Sequence, residues 1–247
     1  METGLLFFAV AGLAAFLVGA SKGGLPMVGA LGVPLMALVM PPVAAAAMLL
    51  PVYIVSDWVG LWAYRKHYDK RNLAILVPAM LVGVIVGWAT AKITAPWLVT
   101  LIVGLVGLYY CATVLLRKRD AEPKPADLPR GIFWGTIAGF TSFVSHTGGP
   151  PYQTYVLPQK LPKMVFAGTS TIAFTIINAV KLLPYWALGE FNTGNLQLAA
   201  MLSPVAIVGA IAGYKATSII PEKLFYRLVE GALFVVSLKL IYDALLK

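Results

Sequence analysis

Long apolar runs separated by short polar loops dominate the pattern of this chain. A membrane-spanning helix needs about 20 mostly apolar residues, and most of the runs reach or approach that length. The pattern therefore predicts an all-α integral membrane protein. Its ten apolar segments are Gly4–Ala20, Met27–Met40, Val43–Tyr64, Asn72–Ala91, Pro96–Leu116, Gly131–Ser145, Pro151–Pro158, Met164–Leu188, Leu196–Ser218 and Leu224–Leu245.

Three of these segments are too short for a full crossing. They are Met27–Met40, Gly131–Ser145 and Pro151–Pro158, and they flank two Gly-Pro breaks in the apolar pattern. We expect half-helices there, in two broken-helix hairpins that meet near the membrane midplane. The first segment, Gly4–Ala20, has no basic stretch before it, so it is predicted to be a retained helix rather than a signal peptide.

Composition supports the membrane assignment. The chain is 60% hydrophobic and only 12% charged, whereas a soluble domain carries about 25% charged residues. The net charge of +9 lies mostly in short loops, which is typical of membrane orientation. We therefore expect a lipid bilayer and no nucleic acid as the partner of these charges.

Glycines and prolines recur at a nearly constant offset, which indicates two homologous halves. Pro78, Gly83 and Gly87 reappear 126 positions later, and the Gly-Gly-x-Pro set beginning at Gly23 reappears 125 positions later, as does Pro96. Chance alignment of common membrane residues is the alternative. The predicted division is a first repeat over residues 1–118, a cytoplasmic linker over 119–130 and a second repeat over 131–247.

Loop charge predicts that the second repeat is inverted. The loop Arg65–Arg71 holds four Lys or Arg residues, whereas its counterpart Gly189–Asn195 holds none and carries Glu190. Because positive loops stay in the cytoplasm, these equivalent loops should lie on opposite sides of the membrane. Inverted repeats of this kind characterise many secondary transporters, whose sites lie where broken helices meet.

The two breaks carry the candidate binding chemistry. They are Ser21–Pro26 (SKGGLP) and Ser145–Pro151 (SHTGGPP). Glycine permits positive φ and proline favours the first turn of a helix, so each break predicts an exposed helix N-terminus that would attract an anion. Alternatively, the glycines only permit close helix packing, and Lys22 extends to a membrane interface.

We expect the two breaks to face each other across one anion site. The glycine amides would hold the anion's oxygens, Lys22 would compensate its charge, and His146 would donate a hydrogen bond and could titrate. Because burying an unpaired anion is very costly, removal of Lys22 should weaken binding by a few kcal/mol. The predicted substrate-binding residues are Ser21, Lys22, Gly23, Gly24, His146, Thr147, Gly148, Gly149, Tyr152 and Gln153.

Ionisable residues inside predicted spans are candidates for a second layer. Asp57 lies in mid-span, Asn178 lies at the equivalent position 121 residues later, and Lys181 follows Asn178 on the same helical face. Asp57 and Lys181 could pair, line the path or carry a proton, and together with Asn178 they would couple occupancy to movement. A purely structural ion pair is the alternative.

The sequence does not favour an enzyme. No His, Cys and carboxylate cluster has metal-ligand spacing, and no phosphate-binding glycine loop is present. A passive anion channel remains an alternative to a carrier, and a membrane enzyme is the least favoured hypothesis. We expect no cofactor and no metal.

Five stretches give the chain a family resemblance. The stretches SHTGGPP at Ser145–Pro151, LPQKLP at Leu157–Pro162, GTS at Gly168–Ser170 and NAVKLLPY at Asn178–Tyr185, with GASKGG at Gly19–Gly24, resemble the TauE/SafE sulfite exporter family. The resemblance implies export of sulfite, organosulfonates or related sulfur oxyanions across a bacterial inner membrane. It implies an ion-coupled or passive carrier, so a proton or sodium ion could take part. A carrier of another small oxyanion or carboxylate, and a homodimer, are compatible with the same residues.

Overall fold

The structure is a computed structural model that describes residues 4–26, 28–40, 42–116, 122–189, 191 and 193–246. This part of the chain contains helices and loops and no strand. Two short 3-10 helices, Val28–Leu31 and Leu157–Gln159, accompany ten α-helices. The α-helices are α1 Leu5–Lys22, α2 Gly32–Met36, α3 Pro42–Tyr64, α4 Lys70–Ala89, α5 Pro96–Leu116, α6 Leu128–Ser145, α7 Gly149–Val156, α8 Lys163–Ala187, α9 Thr193–Ile219 and α10 Glu222–Leu245.

Five segments are long and apolar enough to cross a bilayer: Leu5–Lys22, Ala44–Tyr64, Lys70–Ala89, Lys163–Ala187 and Thr193–Ile219. They belong to α1, α3, α4, α8 and α9, and the last four of these helices each contain an internal proline. Membrane helices tolerate such prolines because neighbouring groups satisfy the freed backbone. The predicted all-α membrane fold is confirmed.

Large apolar side chains point away from the bundle. Trp58, Trp62 and Trp186 are 71%, 69% and 72% exposed, and many Leu, Ile and Val side chains share this outer surface. A contiguous apolar surface of this extent marks contact with a nonaqueous partner. The outer face of the bundle is therefore the face that meets lipid.

The short segments follow the two breaks, as expected. Residues 28–36 form the first 3-10 helix and α2, and Met27 lies outside the described residues. After the second break, α7 has eight residues, or roughly 12 Å at 1.5 Å per residue. Neither segment can cross a hydrocarbon core of about 30 Å.

The helix α6 is longer than the predicted half-helix. It begins at Leu128 rather than Gly131 and has 18 residues, because Asp127 accepts a hydrogen bond from the amide of Arg130 at 3.0 Å and caps the helix. The last three residues assigned to the linker thus belong to α6. Residues 119–121 of that linker, like Glu190 in the loop before α9, lie outside the described residues.

Close backbone contacts join α1 of the first half to α9 of the second. A Cβ atom at Gly19 would overlap the carbonyl oxygen of Ala206, and one at Gly209 would overlap that of Phe16. Small residues at such positions let membrane helices approach closely, where van der Waals packing drives association.

The packing of α4 on α6 repeats these contacts. A Cβ at Gly139 would overlap the carbonyl oxygen of Met80, and one at Gly83 would overlap that of Thr136. Each of these contacts corresponds to one between α1 and α9. Residues of α6 lie 120 positions after their counterparts in α1, and residues of α9 lie 126 positions after their counterparts in α4. The duplication and the inversion of the second half remain predictions, with which these matching contacts agree.

Candidate functional site

A small polar cavity lies where α1, α3, α6, α7 and α8 converge. Its volume is about 40 Å³, which is room for a few water molecules or for an occupant of a few non-hydrogen atoms. Its wall combines buried polar side chains, aromatic rings and small residues. The lining residues are Ser21, Lys22, Pro26, Gly29, Ala30, Tyr53, Ser142, His146, Gly149, Ser170, Thr171, Phe174 and Asn178.

Lys22 is the last residue of α1 and supplies the cationic head in the cavity wall. Its Nζ lies 2.8 Å from Oδ1 of Asp57, and only 4% of the residue is exposed. The ammonium also lies over two rings, 5.2 Å from the centroid of Tyr53 and 5.9 Å from that of Phe174. Aromatic faces attract a cation, so both rings hold the ammonium at this depth.

Asp57 links α1 and α3 to α8. Besides the ion pair with Lys22, Oδ1 accepts a hydrogen bond from Thr175 Oγ1 at 2.9 Å and Oδ2 accepts one from Asn178 Nδ2 at 3.0 Å. Both carboxylate oxygens are therefore satisfied inside the bundle. The ion-pair partner of Asp57 is Lys22 rather than Lys181, which the sequence had left as one option.

Lys181 and His146 form a second cluster beside the first. Lys181 Nζ lies 3.1 Å from the carbonyl oxygen of Ser142, 3.2 Å from its Oγ and 2.9 Å from Nδ1 of His146. His146 Nε2 lies 3.1 Å from the carbonyl oxygen of Ala46. Because that carbonyl can only accept, Nε2 carries a proton. Contacts at both nitrogens fix the orientation of the imidazole, which is neutral if Lys181 is an ammonium.

The glycine amides of the first break are already bonded within the chain. Gly23 N–H donates to the carbonyl of Gly19 at 3.0 Å, and Gly24 N–H donates to that of Ser21 at 3.3 Å. Gly24 has a φ of +113°, and a Cβ there would overlap the hydroxyl of Tyr64. In this conformation the two glycines shape the turn and the packing, and Lys22 and Ser21 are the residues that reach the cavity.

The second break offers few amides as well. His146 adopts a left-handed conformation with a φ of 54° and ends α6, after which Gly149 begins α7 and lines the cavity. Pro150 and Pro151 have no N–H to donate. Only the amides of Gly148 and Gly149 could therefore serve an anion at this helix start.

The other predicted residues of the second break lie near the cavity without lining it. The Thr147 hydroxyl pairs with that of Ser145 at 2.6 Å, and Tyr152 packs edge-on against Phe174, with ring centroids 5.5 Å apart. Gln153 is fully buried, and neither its Nε2 nor its Oε1 has a hydrogen-bond partner among the described residues. Such an amide costs about 1–3 kcal/mol, so Gln153 is the polar group here with most to gain from a ligand or a rearrangement.

Several lining residues were not predicted, although a signal for some was present. Thr171 and Phe174 follow helical spacing with the predicted Asn178 along the face of α8 that also carries Lys181, and Tyr53 precedes Asp57 by one turn of α3. Extending the search by one turn from Asp57 and by about three turns from Lys181 would have found them. Tyr53 also stacks on His146 at a centroid distance of 5.2 Å and donates a hydrogen bond to the carbonyl of Gly29 at 2.7 Å.

Long apolar helices around a buried, charged cavity define a multi-pass membrane protein. A family model described as Sulfite exporter TauE/SafE matches residues 8–240. The chain therefore belongs to the TauE/SafE sulfite exporter family and is a membrane transporter, which confirms the resemblance seen in its motifs. Neither a curated protein nor a solved structure matches the chain.

Proposed function

We propose that this protein is a secondary transporter that exports a small sulfur-containing anion, such as sulfite or an organosulfonate, across the bacterial inner membrane. The observation that carries the proposal is the buried cavity beside Lys22, in an otherwise apolar bundle. An ionisable residue at such a depth is expensive and is usually functional. The family supports sulfite-type chemistry for the anion.

The cavity wall offers the contacts that a small oxyanion needs. Lys22 provides charge, while Ser170, Thr171 and Asn178 provide polar groups around the same space. Hydrogen bonds to charged groups contribute about 1.5–3 kcal/mol each, so a few of them can offset the loss of hydration of a small anion. The neutral His146 would contribute as a fixed wall and not as a second cation.

Asp57, Asn178 and Lys181 would form the coupling layer behind the cavity. An anion that draws Lys22 away from Asp57 weakens the ion pair and alters the contacts from Asp57 to Thr175 and Asn178 on α8. We expect the two halves to rock against each other around this point, in the manner of carriers with inverted repeats.

Counterflow in proteoliposomes tests this function. Vesicles loaded with unlabelled sulfite or methanesulfonate should take up the labelled anion saturably, and Lys22→Gln and His146→Ala should reduce that uptake by at least about tenfold. Lys239→Gln is the matched control, because Lys239 pairs with Asp243 in α10, away from the cavity. It should transport like the parent.

Two other outcomes would redirect the proposal. Unitary anion currents without counterflow would identify a passive channel. Exchange of carboxylates or other oxyanions, with sulfite and sulfonates excluded, would keep the carrier and move the substrate outside sulfur chemistry.

A further inference from the structure

The charges around the cavity can be counted from their contacts. Asp57 accepts hydrogen bonds at both carboxylate oxygens, from Lys22, Thr175 and Asn178. The ammonium of Lys22 and the amide nitrogen of Asn178 can only donate to it, so we take Asp57 as the anion of the pair. Lys22, 2.8 Å away, is its cation, and the two formal charges cancel.

Lys181 carries the charge that is left over. Its Nζ faces three acceptors at hydrogen-bond distance, namely the carbonyl oxygen of Ser142, Oγ of Ser142 and Nδ1 of His146. An ammonium has three N–H donors and could donate to all three, and we take Lys181 in this charged form. Lys181 does not line the cavity, but Ser142 and His146 do, so its charge acts on the cavity from directly behind the wall.

The sum of these groups is one positive charge. Beside an ammonium at Lys181, His146 is neutral, because its Nε2 donates to Ala46 and its Nδ1 is left to accept. Among the described residues, Lys22 is the only charged side chain that lines the cavity itself. With Asp57 and Lys181 directly behind it, the protein itself contributes two cations and one anion to the site.

We infer that the cavity selects a monovalent anion over a divalent one. This inference rests on the proposed transport function and adds the charge class of its substrate. One negative charge makes the buried cluster neutral, whereas a second would leave a net charge inside the bundle, which is costly. Monoanionic sulfonates and hydrogensulfite fit this requirement, and sulfate does not.

The other half of the site shows how the selection can be inverted. Asn178, which occupies the position equivalent to Asp57, is a neutral isostere of aspartate. The substitution Asp57→Asn therefore changes the net charge from one to two positive charges with little change in shape. The inference predicts that this variant favours a dianion.

Counterflow of methanesulfonate and of sulfate tests the inference directly. The parent should transport methanesulfonate at least about tenfold better than sulfate, a ratio that corresponds to about 1.4 kcal/mol. Asp57→Asn should shift the ratio towards sulfate by at least about tenfold. Asp243→Asn makes the same chemical change in the ion pair of α10 and should leave the ratio unchanged.

Binding of the same two anions to the purified protein in detergent separates this inference from the proposed function. Selective binding without any transport would uphold the charge class and overturn the transport proposal. Transport of sulfate as well as methanesulfonate by the parent, or an unchanged ratio in Asp57→Asn, would overturn the inference and leave transport standing. Binding of neither anion by folded parent would overturn both.

A second variant covers the case in which Asp57→Asn does not fold. Lys181→Gln lowers the net charge to zero while keeping a donor near Ser142 and His146. It should reduce methanesulfonate binding by at least about tenfold and should gain no sulfate binding. Retention of parental affinity in folded Lys181→Gln would overturn the charge count.

Discussion

The two halves of the site share a backbone arrangement but distribute their charges differently. The matching helix contacts pair each residue of α1 with the residue 120 positions later in α6. The sequence pairs each residue of α3 with the residue 121 positions later in α8. The first half then contributes Lys22, Asp57 and Gly60, where the second half contributes Ser142, Asn178 and Lys181. Each half supplies one lysine, but the two lysines occupy positions that are not equivalent.

Contacts at the centre show how closely the halves correspond. Lys181 Nζ lies 3.1 Å from the carbonyl oxygen of Ser142, and a Cβ at Gly60, the position equivalent to Lys181, would lie 2.7 Å from the carbonyl oxygen of Lys22. Asp57 and Asn178, which are equivalent to each other, are directly hydrogen-bonded. If the halves are related by a twofold axis, as the predicted inverted repeat requires, equivalent residues meet only near that axis, and the ion pair would lie beside it.

Helix packing is therefore alike in the two halves, whereas the charged residues differ. The frame depends on small residues and close backbone contacts that recur in both halves. The chemistry depends on a few substitutions between equivalent positions.

Removal of one partner of the central ion pair should have the largest effect on stability. Lys22→Gln leaves Asp57 buried without a countercharge, which costs about 3–5 kcal/mol. The double variant Lys22→Gln/Asp57→Asn should recover most of that loss but not transport. Chemical denaturation in detergent measures both, and Lys239→Gln, from a partly exposed pair, should cost only about 0–1 kcal/mol. A cost for Lys22→Gln no larger than that control would contradict the prediction.

Overpacking of the two equivalent helix interfaces should have equal, intermediate effects. Gly19→Ala and Gly139→Ala each force a Cβ into a backbone carbonyl, at a cost of about 1–3 kcal/mol. Gly12→Ala, also in α1 but with nothing within 4 Å of its Cβ, should be neutral or more stable by about 0.5–1 kcal/mol. Thermal unfolding in detergent compares them, and a large loss in only one of the two interface variants would break the correspondence between halves.

Loss of one hydroxyl should have a smaller effect on the first half alone. Tyr53→Phe removes the hydrogen bond to the carbonyl of Gly29, worth about 0.5–1.5 kcal/mol, and keeps the ring beside Lys22 and His146. Its equivalent, Phe174, already lacks the hydroxyl, so the substitution makes the two halves more alike. We expect weaker anchoring of the first 3-10 helix and a faster hydrogen exchange there, whereas exchange in α7 should stay as in the parent.

The pH dependence of sulfite transport should give the smallest effect. Sulfite passes from a monoanion to a dianion as the pH rises through neutrality, while methanesulfonate stays a monoanion. If the cavity selects one negative charge, sulfite counterflow should fall several-fold from mildly acidic to mildly alkaline pH relative to methanesulfonate. A constant ratio of the two rates over this range would argue against selection by charge.

Much of the frame could be predicted from the sequence, because hydropathy and small-residue spacing report directly on helix length and close packing. Lys22, Asp57 and Asn178 were also identified, since charge inside an apolar run is conspicuous. Their pairing was not, because helical periodicity does not say which faces of α1, α3 and α8 meet. That choice depends on long-range packing, which brought Lys22 to Asp57 and left Lys181 to His146.

The role of the glycines was harder to predict for a different reason. The motif indicated free amides, but α1 ends in a turn in which Gly23 and Gly24 donate to its own carbonyls. The end of α6 also differs from the prediction. The matching helix contacts make Ser142 the equivalent of Lys22, which is the last residue of α1, but α6 continues for three residues beyond Ser142. The glycine motifs of the two halves are 125 positions apart, whereas the matching contacts of α1 and α6 are 120 apart. The second half therefore has a longer stretch of chain between these contacts and its glycines.

The hydrogen bond between Asp57 and Asn178 also bears on the ancestry of the chain. If both halves descend from one shorter sequence that assembled in pairs, each copy would have presented the same residue to its twin at this point. Two aspartates there would have repelled each other, and two asparagines would have left a lysine such as Lys22 without its counterion. Fusion into a single gene would have removed that restriction, because two positions that had to mutate together would have become free to diverge.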